Sequence, residues 1–429
     1  MTKQIIVLGA GMVGVSTALA LQERGYDVAL VDRRAPGQET SYGNAGFIQR
    51  EAVRPYAFPR EWQTLRKVIA GSGNDVHYNL AATLKILPTL ARYWHESAPV
   101  RYSRTIASYA ALIQHSISEH EKLIEAANAG ELVRKDGWLE AYRNSEKFDK
   151  TVKQANTIAA EHGLNVAFYD SQGLQRAEPA LNNALAGAIH WLDTWTISDP
   201  GELVERYAAL FQRNGGTILN CDADTLRFNN NGWQVHTSDG PITASDAVVC
   251  LGPWAAKLVE PLGYKIPLFI KRGYHRHYKS ESGLKLPLLD AERGYALVPM
   301  KRGLRITTGA EFAELGAPPT PVQLSAAEVF ADELLRLGAP VESNPWVGAR
   351  PCVADMLPLV GSAGRHRGLW FHFGHGHQGF TLGPTTSRLL ADLITGSSPY
   401  IDPRPYDPRR FGYWRRQDRN QHLLLWSQG

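Results

Sequence analysis

The chain is poor in cysteine, nearly balanced in charge and without a long apolar run, and each shortage removes a class of function. Its 429 residues include 3 cysteines, Cys221, Cys250 and Cys352, with no CxxC pair among them. Such scatter argues against a disulfide framework or a thiolate metal site and fits a reducing compartment. A formal charge of +4 gives no reason to expect nucleic acid as a partner. The basic stretch after Pro403, where arginines alternate with tyrosine and tryptophan, reads as a solvated tail rather than a membrane or RNA patch. No run of about 18 apolar residues occurs, so no transmembrane span is expected. The N-terminus passes straight into an apolar strand, with no secretory h-region. A cytoplasmic location is the expectation, with peripheral contact at the inner membrane left open.

What is present is an ordinary globular composition, 44% hydrophobic and 21% charged, with 39 glycines and 25 prolines that point to many turns. The length suits two or three domains of ~100–200 residues. Residues 5–8 are a short apolar run ahead of glycines, which predicts a buried strand. Residues 13–23 suit a helix packed closely on a sheet and closed by Gly25. Residues 28–31 follow as the next buried strand. Strand, glycine turn, helix and strand make a βαβ unit with a right-handed crossover. Helical spacing from 81 to 127, interrupted by Pro88 and Pro99, predicts several helices, and 146–162 and 201–213 predict two more. Short strands are expected at 217–220, 226–228, 233–237 and 247–251. Longer ones at 271–279 and 295–308 are expected in a second, mostly antiparallel sheet. Residues 369–373 read as a last buried strand, 374–383 as a glycine-rich loop and 386–394 as an amphipathic helix.

Gly9-Ala10-Gly11-Met12-Val13-Gly14 is a complete GxGxxG at the end of the first strand. Gly9 permits the tight turn, Gly11 lets backbone approach a pyrophosphate, and Gly14 lets the helix pack on the strand. Met12 and Val13 open a helix whose N-terminal N–H groups face that phosphate. Asp32 ends the second strand, where an acid accepts from ribose hydroxyls and argues against a 2′-phosphate. Arg33 and Arg34 beside it face either adenine or solvent. The fingerprint by itself does not separate FAD from NAD. His275 and His277, two apart on a strand, share a face. They lack a third ligand at useful spacing, so no metal is expected.

Further motifs narrow the choice. Thr40-Ser41-Tyr42-Gly43-Asn44-Ala45-Gly46 resembles the TS-x-x-NAG segment of D-amino acid dehydrogenases. Trp346-Val347-Gly348-Ala349-Arg350-Pro351 resembles their W-x-G-x-RP run, with Asp355, Pro358 and Gly361 following as in D-x-x-P-x-x-G. Gly374-His375-Gly376-His377-Gln378-Gly379-Phe380-Thr381 is similar to their GHG-x-x-G-x-T loop. Gly137-Trp138-Leu139, Glu178-Pro179-Ala180-Leu181 and the stretch 248–254 agree more loosely. The chain thus resembles the FAD-dependent D-amino acid dehydrogenase/oxidase family along nearly its whole length. It is closest to the D-amino acid dehydrogenase small subunit and related to glycine and sarcosine oxidases.

That resemblance implies an α/β fold of D-amino acid oxidase type. A Rossmann-like FAD-binding domain would comprise 1–50, 145–260 and 340–429, interleaved with an α+β substrate domain of 51–144 and 261–339 built on an antiparallel sheet. It implies non-covalent FAD, because Gly348 stands near the place of the flavin-linking cysteine of sarcosine-oxidase-like enzymes. Thr40, Ser41, Asn44, Ala45 and Gly46 would pass beside the phosphates and flavin, Ala223 would meet adenine, and Gly252 with Trp254 would approach the phosphates. Gly376, His377, Gln378, Gly379, Phe380 and Thr381 would run along the flavin. Arg350 matches the family's carboxylate-binding arginine, and Tyr295 falls where D-amino acid oxidases hold the substrate. Tyr274, His275 and His377 join them as candidate pocket residues.

The implied chemistry is oxidative deamination of a D-amino acid, or of an imino acid such as D-proline or hydroxyproline. Hydride passes from the α-carbon to flavin N5, giving an imino and then a 2-oxo acid, with no side-chain nucleophile. Electrons would leave to a quinone or other carrier. Two alternatives stand beside it: a glycine/sarcosine-type amine oxidase using O2, and a non-catalytic FAD-binding subunit. The substrate's side chain, the acceptor and the oligomeric state are not legible.

Overall fold

The first strand of the chain becomes the middle of a parallel sheet. In the computed structural model, which describes residues 3–60, 76–78, 80–182, 185–229, 232–279 and 283–412, six strands form this sheet. Their order is Thr217–Asn220, Asp27–Asp32, Gln4–Leu8, Asp246–Val249, Leu369–Phe373 and Leu359–Ser362, the last one antiparallel. Ile5, Ile6, Val7 and Leu8 are all buried, as a parallel strand covered on both faces requires. The predicted βαβ unit is present, with the helix at Met12–Glu23. A Cβ on Gly14 would lie 1.7 Å from the Gly9 carbonyl oxygen, so only hydrogen fits between helix and strand.

The C-terminal helix spans Gly379–Thr395, seven residues earlier than the predicted start at 386. Gly379, Gly383 and Pro384 had signalled a loop. Pro384 has no N–H to return to the Phe380 carbonyl, and that carbonyl accepts from His120 Nε2 at 2.9 Å instead. A buried side chain thus replaces the missing helical bond. Gly383 faces the first helix so closely that a Cβ would lie 2.7 Å from Met12 Cγ.

A second, ten-stranded mixed sheet stands against the first. Its long strand Leu268–Tyr278 pairs with Gly303–Thr308 on one side and with Trp346–Val353 in antiparallel register. The predicted strand 295–308 is a hairpin, Tyr295–Met300 and Gly303–Thr308, turned at Lys301-Arg302 with Gly303 at φ 124°. Strand pairing also divides the chain differently from the expected domain boundaries. Val166–Asp170, Gly187–Trp191 and Trp346–Val353 all lie in the second sheet, although 145–260 and 340–429 were assigned to the nucleotide-binding part. The first two follow Trp138–Tyr142, on which Gly187–Trp191 pairs directly.

The helices expected between 81 and 127 are Leu80–Lys85, Leu87–Glu96, Pro99–Ile113 and Ser116–Ala126, with Pro88 and Pro99 in first turns, where a missing N–H costs nothing. As far as residue 412 the basic C-terminal stretch is pinned down: Arg410 Nε is 2.7 Å from Asp355 Oδ2. The remainder of that stretch lies outside the described residues. Among the described residues no helix is long and apolar enough to cross a membrane.

Candidate active site

The two sheets enclose a continuous cavity of about 890 Å³. Its nucleotide end is formed where the first sheet's strands stop. Gly9, Gly11, Met12, Val13, Asp32, Arg33, Thr40 and Ser41 line it, with Ala223, Gly252 and Trp254 opposite. Gly9 has φ 105°, and a Cβ there would lie 2.7 Å from the Cys250 carbonyl oxygen. Asp32 is fixed by two backbone donors, Ala10 N at 2.7 Å to Oδ2 and Arg34 N at 2.9 Å to Oδ1. Arg33 lies over the Trp254 ring at 4.9 Å and pairs with Glu39 at 3.2 Å; Arg34, which does not line the cavity, pairs with the same carboxylate at 3.0 Å. Sequence reasoning did not single out Glu39, which also lines this end.

In the middle, the segments from opposite ends of the chain meet. Asn44 and Ala45 line the cavity together with Gly376, His377, Gln378, Gly379 and Phe380. Thr40 Oγ1 donates to the Ala349 carbonyl at 3.1 Å, tying the first segment to the Trp346–Val353 strand. Arg305, buried in the second sheet, donates from Nη1 to the carbonyls of Tyr42 and Asn44. Its guanidinium is oriented from behind by His277. Nε of Arg305 donates to His277 Nε2 at 3.0 Å, so the ring proton is on Nδ1, which faces Glu342 Oε1 at 2.8 Å. Burial still lowers Arg305 to about 10. His372, which sequence reasoning missed, also reaches this middle section beside His375, and Thr386 Oγ1 bonds both rings at 2.8 and 3.0 Å.

The far end belongs to the second sheet. Arg350, Lys271, Tyr295, Tyr274, Tyr56, Tyr93 and His377 line it. Arg350 Nη1 donates to the Gly309 carbonyl at 3.0 Å, with longer contacts to Arg272 O at 3.4 Å and Thr308 O at 3.5 Å. Among the described residues it has no carboxylate partner, although burial pulls its pKa down. Gly273 makes room for it, since a Cβ there would lie 2.5 Å from Nη1. Tyr295 is buried at the wall, and burial together with Asp290 pushes its phenol well up. Tyr56 projects into the space with 65% of its surface open, its ring 4.7 Å from that of His377. Burial, then the cations Arg350 and Lys271, holds His377 well below the usual histidine range.

Several expected residues fall elsewhere. Gly14, Gly46 and Thr381 serve packing rather than the cavity wall. Thr381 Oγ1 donates to the Phe47 carbonyl at 3.1 Å, and a Cβ on Gly46 would lie 2.4 Å from the Ile197 carbonyl oxygen. His275 shares a face with His277 as predicted, their rings 5.2 Å apart. It does not line the cavity, because it stacks on Trp346 at 4.8 Å and stands one layer behind. Tyr274 does reach the cavity, but its hydroxyl is engaged by Glu311 Oε2 at 2.7 Å and Thr320 N at 2.8 Å. Among the described residues no group of three or more His, Cys, Asp or Glu is placed to hold a metal ion.

An elongated dinucleotide suits this shape. A Cβ on Gly11 would intrude to 3.2 Å from Ser41 Oγ, which itself accepts from Met12 N at 2.9 Å at the helix N-terminus. That leaves a bare backbone strip for phosphate oxygens, with room beyond it for a planar ring before Arg350. Sequence comparison is decisive: the FAD dependent oxidoreductase (DAO) profile matches residues 4–393. The chain belongs to this family. It is an FAD enzyme of the oxidoreductase class. Its relatives include a D-amino-acid oxidase from Bradyrhizobium diazoefficiens, 28% identical over 95% of this chain and 99% of the relative. A D-amino acid dehydrogenase from Chromohalobacter salexigens is 28% identical with the same coverage. Among solved structures, glycine oxidase from Geobacillus kaustophilus superposes with a TM-score of 0.73 at 20% identity, covering 95% of this chain and 99% of that one. L-proline dehydrogenase from P. horikoshii gives 0.72 at 17% identity, covering 96% and 98%. These structural neighbours share the fold.

Proposed function

We propose that the enzyme oxidises a D-amino acid, or a cyclic imino acid of the same configuration, at its α-carbon and passes the electrons to a carrier. One observation carries the reading: Arg350 presents a half-buried guanidinium at the cavity, held by backbone carbonyls and by no carboxylate among the described residues. An arginine stays charged, and a charge largely withdrawn from water favours an anionic partner. An amino acid's carboxylate supplies one, with bidentate geometry that also fixes how the α-carbon is presented. The names of the two relatives supply the D configuration and the amino acid class.

Bound without a covalent link, FAD would accept the α-hydrogen as hydride. The strip from Gly9 to Ser41 would hold its diphosphate, with Asp32 and Arg33 at the adenosine, and segments 44–45 and 376–380 would flank its ring. Around it the chain binds, orients and excludes water. Tyr56 and His377 close the space beside Arg350 and, with His377 neutral, add no competing charge. Tyr295 completes the opposite wall. A quinone or similar carrier as acceptor rests on the dehydrogenase relatives.

The test is anaerobic. Purified yellow holoenzyme is expected to bleach on adding D-amino acids, to stay yellow with their L-enantiomers, and to reoxidise faster with a quinone or dye than with O2. No bleaching by any amino acid would overturn the reading in favour of a non-catalytic FAD subunit. Faster reoxidation by O2 would move the protein to the oxidases.

A further inference from the structure

The substrate end of the cavity holds a second cation. Lys271 sits directly opposite Arg350 in the antiparallel register of Leu268–Tyr278 with Trp346–Val353. Directly opposed residues share a face with Cβ atoms about 5 Å apart, where like charges repel. Lys271 is buried and Arg350 half-buried, and both line the cavity. They then diverge, Arg350 to the Gly309 carbonyl and Lys271 Nζ to Tyr93 Oη at 3.3 Å.

Among the described residues the surroundings of Lys271 offer no anion. Its ammonium lies over the rings of Tyr93, Phe269 and Phe312 at 4.9, 5.5 and 5.7 Å. The nearby acidic group is the Cys352 thiol, which burial pushes up and so keeps protonated. Glu311 is engaged by Arg272 at 2.8 Å. Burial lowers the Lys271 pKa, with Arg350 adding to the effect. One α-carboxylate answers one of these two cations and leaves the other bare.

We infer that the substrate is an amino acid with a second carboxylate, with Arg350 taking the α-carboxylate and Lys271 the other. This rests on the reading of the site as an amino acid oxidase and adds its substrate class. The second carboxylate can be carried by the side chain, as in D-aspartate and D-glutamate, or on the nitrogen, as in iminodiacetate. In either case Lys271 is a specificity-determining residue and takes no part in the oxidation.

The test compares matched pairs with the wild-type holoenzyme and a dye acceptor: D-glutamate with D-glutamine, D-aspartate with D-asparagine, and iminodiacetate with sarcosine. At least one diacid is expected to exceed its neutral partner at least tenfold in kcat/KM, the scale of one charge-assisted contact. The pair that does so identifies where the second carboxylate is carried. Ratios below tenfold in every pair, with neutral D-amino acids still bleaching the flavin, overturn this inference and leave the proposed function standing. Bleaching by no amino acid at all overturns both.

In Lys271→Met the diacid-to-neutral ratio is expected to collapse at least tenfold. A parallel loss for diacid and neutral substrates would assign Lys271 to chemistry common to all of them, and the inference would be wrong. Should that variant fail to retain FAD, the wild type still decides through ligand perturbation of its flavin spectrum. Glutarate is expected to bind at least tenfold more tightly than pentanoate, and equal binding overturns the inference.

Discussion

The two ends of the cavity are built on opposite electrostatic terms. At the nucleotide end the charges are already matched within the protein: Asp32 accepts two backbone N–H groups, Arg33 and Arg34 both reach Glu39, and Lys257 pairs with Asp224. At the substrate end the half-buried Arg350 and the buried Lys271 have no carboxylate partner among the described residues. On the proposed reading the nucleotide end would recognise its ligand through backbone geometry. The other end is left short of negative charge, and its ligand must bring it.

The largest test of this contrast is steric. Gly14→Ala places a methyl 1.7 Å from the Gly9 carbonyl oxygen, where backbone rather than a flexible side chain must move. The variant is expected to lose bound FAD altogether, read as visible absorbance per protein after purification. A yellow Gly14→Ala protein would show that the helix can retreat from its strand. Next comes Arg350→Ala, expected to lower kcat/KM at least tenfold, above ~1.4 kcal/mol, while FAD occupancy is retained. Unchanged kinetics with a D-amino acid would take the carboxylate away from this arginine.

Gly273→Ala should act through Arg350 and cost less. Its Cβ would lie 2.5 Å from Nη1, pushing the guanidinium aside, so KM is expected to rise severalfold with kcat less affected. Equal falls in kcat and kcat/KM would mean that the displacement harms the reaction itself. A fourth test concerns pH. Burial holds His120 at about 4 and His375 at about 3, below the ordinary 6.5. Above 6.5 both are neutral whether folded or unfolded, and their contribution to stability is complete. As pH falls from 6.5 toward 4 the unfolded chain takes up protons that the folded one refuses. Stability should then drop by up to ~1.4 kcal/mol per pH unit for each such histidine, read as a falling thermal midpoint. A flat profile across that window would mean these rings are protonated in the fold. The smallest effect is expected from Arg34→Ala, an exposed partner of Glu39, which should change FAD affinity less than twofold.

The same contrast explains what could be read without coordinates. Gly9, Gly11 and Gly14 are legible because their identities follow from backbone approach within a dozen residues of chain. Arg350 and the 374–381 segment were found through motif, not spacing. Lys271, Tyr56 and Tyr93 went unnoticed because strand register and a helix far away in sequence bring them together, and no local pattern encodes that. His275 shows the limit from the other side: alternation gives the correct face but not the layer, and Trp346 occupies the place between it and the cavity. The helix at Gly379–Thr395 was foreshortened because glycine and proline are weighed by local preference, whereas His120 supplies the bond that Pro384 omits.

The contact between Gly383 and Met12 has a consequence for how the protein is made. Met12 leaves the ribosome long before Gly383, which lies far along the same chain. The packing behind the proposed cofactor site is therefore incomplete until Gly383 has emerged, however well the first strands have formed. On that reading flavin loading would wait for Gly383 to be made, and long-range closure of this kind is slow. Once seated, the dinucleotide would clasp these two distant segments together.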